Sequence, residues 1–355
     1  MGRKQRYIFV EEKPHRIRAF LIGVLVVALL AALGLFIYNF GQNHQVIAER
    51  QNVTIPHLSG DLENWSILHF SDLHGQYIGQ GHTSISRAIS GRSYSCAVFT
   101  GDMLGKNGDV QPLLDLVALL PETMPKLFIP GDSDPPLIAT TAHASLSPYA
   151  DWAVRLQEAG VTILDEPVSF TRNRSTIWFI PESLYGLNID STEAAYQAQL
   201  DLLNASVAPL SADDAALARA TEYNIDRMRR IREIQKTISP NDIQIAVAHQ
   251  PLTAGYVSEM VASTDPGTIF SLRYVSLILA GHYTGGQWRL PGLGALWVPG
   301  LGFRPDDSLL MGLDYLSGVP QYISPGLAAS DFYPFPGRLF NVPVITTIYL
   351  TSNMT

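Results

Sequence analysis

The sequence predicts an α/β domain that follows one N-terminal transmembrane helix. Short apolar runs alternate with helix-like stretches, as is typical of α/β folds. A run of twenty residues without a charge, at 19–38, lies close to the N-terminus. The chain has 355 residues, of which 46% are hydrophobic and 16% charged, so it can bury a large core and is not a disordered protein.

The apolar run at 19–38 predicts a membrane anchor, which we place at residues 19–40. A helix rises about 1.5 Å per residue, so this run spans roughly 30 Å, the thickness of a bilayer core. Its apolar character on every face argues against a buried core helix. Its length, and the polar stretch that begins at Asn39, argue against a cleaved signal peptide.

Residues 1–18 form a basic tail with six Lys or Arg residues and two Glu residues. Because positively charged flanks stay on the cytoplasmic side, we expect a single-pass protein of the cell membrane with a cytoplasmic N-terminus. The domain beyond residue 40 is then extracytoplasmic. The whole chain has 24 Lys and Arg against 32 Asp and Glu, a net charge of −8, so no nucleic-acid partner is expected.

The outer part divides into a linker and a large domain. Residues 41–62 are polar and predict a juxtamembrane linker or an entry strand. The domain at 63–351 contains five apolar runs that predict buried strands, at residues 65–70, 96–100, 127–129, 243–248 and 275–280. Helices are predicted at 110–120 and 149–159.

Residues 183–240 have a different pattern and predict a helical insertion. Ser211 is suited to cap a helix that ends before Pro240. The second half of the predicted helix carries a cluster of arginines, Arg227, Arg229, Arg230 and Arg232. These arginines could bind phosphate, but acidic residues lie nearby in the sequence, and a solvated helix face is the simpler interpretation.

Residues of metal-ligand type follow the five predicted strands: Asp72, His74, Asp102, Asp132, His249 and His282. A helix cap, a turn or a core histidine would explain each one alone. In α/β folds, however, residues just past the carboxyl ends of strands converge on one crevice. Asp72 and His74 are two apart, so an extended segment would project both to the same side. Cys96 is the one cysteine, which excludes a Cys-rich metal site.

Carboxylate and imidazole ligands suit Mn²⁺, Fe or Zn²⁺, so we expect one or two such divalent ions. The order and spacing of the blocks resemble the calcineurin-like metallophosphoesterases, in particular a membrane-anchored bacterial branch. The blocks of that family are D-x-H, GD, GNH[DE], H and GHxH. The corresponding stretches here are Asp72-Leu73-His74, Gly101-Asp102, Gly131-Asp132-Ser133-Asp134, His249 and Gly281-His282-Tyr283-Thr284. Residues 285–287, 290–294 and 322–327 extend the resemblance.

The resemblance implies a four-layer α/β/β/α metallophosphoesterase sandwich with a binuclear site at its strand ends. By position, Asp72 and His74 would bind the first metal and Asp102 would bridge the two. The remaining ligands, Asp132, His249 and His282, would complete the second site. The implied activity is that of a metal-dependent phosphoric ester hydrolase, in which a metal-activated hydroxide attacks the phosphorus of a phosphoester or pyrophosphate.

The chain departs from the family at three positions, where Asp132 replaces Asn, Ser133 replaces His and Thr284 replaces His. With Thr284, the first metal keeps three protein ligands, so we expect the second site to fill first. Ser133 cannot protonate a leaving group near neutral pH as an imidazole does. Asp134 is a poor acid unless its pKa is raised, and His143 is more simply a loop residue. Ser133 and Asp134 are therefore weak catalytic candidates, and good leaving groups are expected.

Three functions agree with these observations. The first is a membrane-anchored phosphoesterase acting on a phosphorylated small molecule or on a lipid or cell-envelope substrate. The second is a catalytically weakened or silent relative that binds metal and a phosphorylated ligand. The third is a scaffold that uses residues 183–240 to contact a membrane partner. We favour the enzyme because six ligand-type residues are present. The oligomeric state is not predicted.

Overall fold

A long apolar helix opens the chain. The computed structural model describes residues 16–105, 108–143, 145–205, 209–263, 268–334 and 336–353, and divides into a unit up to Gln42 and a unit from Asn43 onward. Helix α1 (Arg16–Asn43) is long and apolar enough to cross a membrane, judged by length and composition. Residues 1–15 of the predicted basic tail lie outside the described residues.

The second unit alternates strands with helices. Its helices are α2 (Thr83–Ile89), α3 (Gln111–Val117), α4 (Asp151–Glu158), α5 (Ile189–Asn204), α6 (Ala212–Thr237) and α7 (Ala254–Ala262). The strands in its first half are β1 (Ile47–Thr54), β2 (Ser66–Phe70), β3 (Cys96–Thr100), β4 (Lys126–Ile129), β5 (Thr162–Ile163), β6 (Val168–Arg172) and β7 (Ser175–Pro181). Those that follow are β8 (Ile243–Val247), β9 (Val275–Ala280), β10 (Arg289–Leu290), β11 (Gly294–Ala295), β12 (Trp297–Val298), β13 (Gly302–Phe303), β14 (Gly312–Leu316), β15 (Val319–Ile323) and β16 (Val344–Thr351).

Within the described ranges, most strands belong to two six-stranded sheets, ordered β1-β16-β2-β3-β4-β5 and β14-β15-β9-β8-β7-β6. Strands β2 to β5 pair in parallel, and so do β7, β8, β9 and β15. The registers place Phe70 opposite Phe99 and Val247 opposite Leu279. Parallel neighbours end at the same edge, so the residues after β2, β3 and β4 emerge together, as do those after β8 and β9.

Apolar side chains of both sheets meet in a common core. Ile67 and Val98 of the first sheet and Phe179 and Ile245 of the second belong to one buried cluster. Each of these side chains is fully buried. This contact places the two sheets face to face, so that residues beyond their strand ends can approach one another.

Helices cover the other face of each sheet. Phe128 of β4 packs with Leu116 of α3 and Trp152 of α4 in a second cluster. Ile278 of β9 packs with Met228 of α6 in a third. The structure is therefore of the predicted α/β class, with two sheets rich in parallel pairs.

The predicted strands correspond to β2, β3, β4, β8 and β9, each with ends within one residue of the prediction. Of the two alternatives for residues 41–62, the structure shows the entry strand, because β1 pairs with β16 along eight residues. The segment 183–240 contains α5 and α6 and connects β7 to β8, which pair in parallel.

Candidate metal centre

The first group of ligand-type side chains follows β2 and β3. Ligand atoms of Asp72, His74 and Asp102 all lie within 4.8 Å of one another. His74 Nε2 is 4.0 Å from Asp72 Oδ1. The two loops are joined by backbone hydrogen bonds, from the Asp72 N–H to the Gly101 carbonyl (3.1 Å) and from the His74 N–H to the Asp102 carbonyl (2.8 Å).

The spacing of Asp72 and His74 predicts an extended segment, but the backbone of this group is not extended. Asp72, His74 and Asp102 have φ angles of 54°, 49° and 54°, in the left-handed region. Such residues cost roughly 1–3 kcal/mol each and persist where the surrounding structure imposes them. Tight turns at the strand ends, rather than alternation along a strand, therefore bring the side chains together.

The second group combines Asp102 with the two histidines that follow β8 and β9. Ligand atoms of Asp102, His249 and His282 lie within 4.8 Å of one another. His249 Nε2 is 3.3 Å from Asp102 Oδ1 and 3.1 Å from His282 Nδ1. The Nδ1–H of His249 donates to the Thr100 carbonyl (2.8 Å), so its Nε2 faces the site.

Asp102 belongs to both groups and is 1% exposed. Its Oδ1 accepts a hydrogen bond from the Ser133 N–H (2.8 Å). A carboxylate shared by two ligand sets is suited to bridge two cations. The site therefore brings together five of the six predicted ligands around one buried carboxylate.

Three ligand atoms of the first group are buried without a hydrogen-bond partner among the described residues: Asp72 Oδ1, His74 Nε2 and Asp102 Oδ2. An unsatisfied buried polar group costs about 1–3 kcal/mol, and more if it is charged. A divalent cation would satisfy all three atoms at once. Two oxygens and one nitrogen suit Mn²⁺, Fe or Zn²⁺, so the residues present fit a metal ion.

Asp132, the sixth predicted ligand, lies at the solvent edge of the second group. Its side chain is 44% exposed, and its Oδ2 is 3.4 Å from His282 Nδ1 and 3.9 Å from His249 Nε2. The Gln250 Nε2 donates to the same oxygen (2.5 Å) and orients it. Sequence analysis missed Gln250, although its position directly after His249 is a signal that could have found it.

The weak catalytic candidates have structural contacts of their own. Ser133 Oγ is 3.4 Å from His74 Nδ1. The two carboxylate oxygens of Asp134 accept backbone hydrogen bonds from Leu104 (2.7 Å) and Gly131 (2.8 Å), which hold the loop after β4. Burial raises the pKa of Asp134 to about 6.

Neither His143 nor Thr284 belongs to the two ligand groups. The ring nitrogens of His143 lie 3.1 Å and 2.9 Å from the carbonyls of Thr141 and Ser147. This histidine therefore contacts the backbone of its own loop, as expected. Thr284 is fully buried with a φ angle of 48°. His143 therefore does not supply the imidazole that the family resemblance predicts at position 133.

Burial and mutual charge set the pKa values of the ligands. Burial raises the pKa of Asp72 to about 7 and lowers that of His74 to about 4. Burial by itself would lower the pKa of His249, but the neighbouring Asp102 carboxylate raises it to about 9. Burial would likewise raise the pKa of Asp102, but the hydrogen bond and charge of His249 hold it below its usual range. In the absence of metal, Asp102 and His249 therefore form an ion pair.

Arg338 supports the first group from a distant part of the chain. It is buried and donates to the carbonyls of Pro325 (2.8 Å) and Ala328 (2.9 Å). The Ala328 N–H in turn donates to the Asp72 carbonyl (2.8 Å). The positive charge of Arg338 also acts to lower the pKa of Asp72, against the effect of burial. Nothing in the local sequence marks this arginine as part of the site.

A cavity of about 590 Å³ opens beside the second group. Asp132, His249 and Gln250 form one side of it. Its other walls include the apolar residues Leu137, Leu164, Val247 and Leu252 and the polar residues Asp165, Glu182, Arg227 and Tyr256. The candidate metal centre therefore has an adjoining space of the size of a small ligand.

No protein-family model matches this chain, and no curated protein matches its sequence. Among solved structures, the chain is similar to the phosphopantetheinyl hydrolase PptH from Mycobacterium tuberculosis. The similarity has a TM-score of 0.36 and 14% sequence identity, and covers 74% of this chain and 89% of that one. At these values it carries no information about reaction or substrate.

The metal-free protein is expected to lose stability as the pH rises from 6.5 to 9. The raised pKa of Asp72, about 7, gives a stabilisation that is complete below the ordinary value of 3.8 and is already lost by about pH 7, so it adds little to this fall. The raised pKa of His249, about 9, gives a stabilisation that is complete below 6.5 and lost through 9. Thermal unfolding of the full chain in detergent and EDTA measures this fall, which Mn²⁺ should reduce.

A His143→Gln variant serves as the control, because this loop histidine is outside the site and should leave the slope unchanged. Asp72→Asn should make the slope shallower below about pH 7 and leave the fall between pH 7 and 9, which comes from His249, in place. A metal-free protein that unfolds at the same temperature throughout this pH range would contradict the assignment of these shifts.

Gly131→Ala is expected to weaken metal binding by about 10–100-fold. A Cβ on Gly131 would lie 2.3 Å from both the backbone nitrogen and the Oδ1 of Asp102, so the shared carboxylate has to move. Gly60→Ala is the matched control, since nothing lies within 4 Å of its Cβ position. Calorimetric titration with Mn²⁺ measures both, and equal affinities in the two variants would refute the central position of Asp102.

Proposed function

We propose that this chain is a membrane-anchored, metal-dependent phosphoesterase of the metallophosphoesterase type, which hydrolyses a phosphoester or pyrophosphate outside the cytoplasm. The observation that carries the proposal is the buried Asp102 carboxylate, shared by two ligand groups. Unpartnered atoms of Asp72, His74 and Asp102 surround it in the described structure. Such a cluster has a high energetic cost unless a cation binds to it.

Asp72 and His74 would hold one ion, His249 and His282 the other, and Asp102 would bridge them. Bound divalent ions supply a hydroxide nucleophile at neutral pH and neutralise the phosphoryl oxygens. The chain itself fixes the ligands. Thr100 orients the His249 ring through its carbonyl, and the Ser133 N–H holds the Asp102 carboxylate.

Proton transfer to the leaving group is the weakest part of this machinery. Ser133 has a hydroxyl near His74, and both Asp134 oxygens are occupied by backbone amides. Without an imidazole acid, good leaving groups such as aryl esters or pyrophosphates are the expected substrates. The same observation favours a second candidate, a weakened or silent relative that binds metal and a phosphorylated ligand.

We also propose a four-layer α/β/β/α arrangement for the outer unit. One buried cluster joins the two sheets, and two others join each sheet to helices. Helix α1 supports the proposed anchor by its length and composition. A cytoplasmic N-terminus and a lipid or cell-envelope substrate are proposals that rest on the charge of residues 1–18 and on this anchor.

Hydrolysis of aryl phosphates by the full chain in detergent, with Mn²⁺ added, tests the function. Asp102→Ala should lower kcat/KM by at least about 100-fold, because the metal ions supply several kcal/mol of transition-state stabilisation. Asp201→Ala, an aspartate of the exposed face of α5, is the control and should retain activity. Equal residual activity in the two variants would reject catalysis at this site.

Ser133→His should raise turnover of alkyl phosphates, by about 10²-fold or more if the new imidazole acts as the general acid. Turnover of aryl phosphates should change little, because their leaving groups need less protonation. Ser133→Asn is the control, since it adds volume without an acid of suitable pKa. An unchanged ratio of alkyl to aryl turnover would show that this position does not face the leaving group.

A further inference from the structure

Helix α6 carries a group of arginines, and most of them bind carboxylates. Arg229 Nε is 2.8 Å from Glu193, and Arg230 Nη2 is 2.5 Å from Glu166. Arg232 lies 2.6 Å from Asp190 and 2.9 Å from Glu193. These pairs join α6 to α5 and to the segment after β5. The arginines therefore act mainly as structural ion pairs, as the simpler sequence interpretation held.

Arg227 differs from these three and, like Arg219 of the same helix, forms no ion pair among the described residues. It lines the cavity beside the metal centre instead of facing an acidic partner. In the described structure its guanidinium makes one hydrogen bond, from Nη1 to Asn224 Oδ1 of the same helix (3.3 Å), and its buried Nε has no hydrogen-bond partner. A guanidinium has five N–H donors, so most of its capacity is unused.

The carboxylates that line the same cavity have other partners. Asp165 accepts hydrogen bonds from the hydroxyls of Tyr149 (3.0 Å) and Tyr223 (2.5 Å). Glu182 lies against the Tyr256 hydroxyl, and Asp132 accepts from Gln250. No ion pair joins any of them to Arg227 among the described residues. Arg227 therefore lines the cavity without a direct ion pair to any of these carboxylates.

The cavity has a polar end at the metal centre, apolar walls and this cation. Asp132 and His249 line the end of the cavity next to the candidate metal centre, and Leu164 and Leu252 contribute apolar surface. A planar guanidinium fits an oxyanion such as a carboxylate or phosphate through two parallel hydrogen bonds. A ligand that spans the cavity would thus have a phosphoryl group at one end, an apolar segment and a second oxyanion.

We propose that Arg227 binds a second anionic group on the substrate, and that the substrates are phosphoesters whose leaving group carries an apolar segment and then a carboxylate or phosphate. The inference rests on the proposed function, because the first phosphoryl group is placed at the metal centre. Arg227 is a specificity residue and takes no part in the bond-breaking step.

Ligand binding without turnover tests this proposal. The ligands are alkylphosphonates of increasing chain length that end in a carboxylate, each paired with one of equal length that ends in a carboxamide. A second series ends in phosphate, which tells the two oxyanions apart. Calorimetry on the full chain in detergent with Mn²⁺ gives the affinity of each.

At the best chain length, the wild-type protein should bind the anionic ligand about tenfold or more tightly than the carboxamide, as expected for a charge-assisted hydrogen bond. Arg227→Gln should abolish this preference. Arg230→Gln, which removes an arginine of the same helix that is paired with Glu166, should retain it. The comparison within each variant corrects for any general loss of folded protein.

Equal affinity for the anionic and neutral ligands in the wild-type protein, or a preference that survives in Arg227→Gln, would overturn the assignment of Arg227. Failure of every phosphonate to bind would overturn it as well. These results are independent of hydrolysis. A protein that shows the preference but no turnover would support Arg227 as the binding residue for the second anionic group and reject hydrolysis of the ligand.

Discussion

The burial of one shared carboxylate is the constraint on which the rest of the site depends. Asp102 is almost inaccessible to solvent, yet ligand atoms from both sheets lie within a few ångströms of it. A buried charge has a high cost unless other charges or hydrogen bonds compensate it. His249 and the Ser133 N–H provide part of that compensation in the metal-free protein. The remaining oxygen of Asp102 has no partner in the described structure, and a cation would complete the arrangement.

The backbone around this carboxylate is strained, and the packed sheets hold it in place. Asp72, His74, Asp102 and His282 all have left-handed φ angles. Non-glycine residues adopt this conformation at a cost that the rest of the fold has to offset. The buried clusters on the sheet faces supply that stability. The glycine at position 131 lets the loop after β4 approach Asp102 closely, since even one Cβ there would contact the carboxylate.

The centre is asymmetric, and this asymmetry shapes its chemistry. The side chains of Asp72 and His74 are buried, and the Arg338 loop lies against this side. The side of His249 and Asp132 borders a cavity of about 590 Å³. Position 133, where the family resemblance predicts an imidazole, has a serine, and the neighbouring Asp134 carboxylate accepts backbone hydrogen bonds. The described residues therefore fit a metal ion better than they fit proton transfer to a leaving group.

The strands and the positions of the candidate ligands after them could be predicted from the sequence because their signals are local. Each buried strand is a short apolar run, and a ligand-type residue such as Asp102 or His249 follows directly after it. Parallel pairing then determines that these strand ends lie at common edges. The connection that residues 183–240 make between two paired strands could not be predicted, because only the pairing of β7 with β8 shows it.

Other features depend on contacts between segments that are far apart in the chain, and only the tertiary structure decided them. The sequence shows five arginines on one helix, but the packing of that helix gives three of them carboxylate partners and places Arg227 at the cavity. The same holds for the support that Arg338 gives to Asp72. Periodicity and composition report which face of an element is buried, whereas the partner of an individual charge is set by the three-dimensional approach of distant side chains.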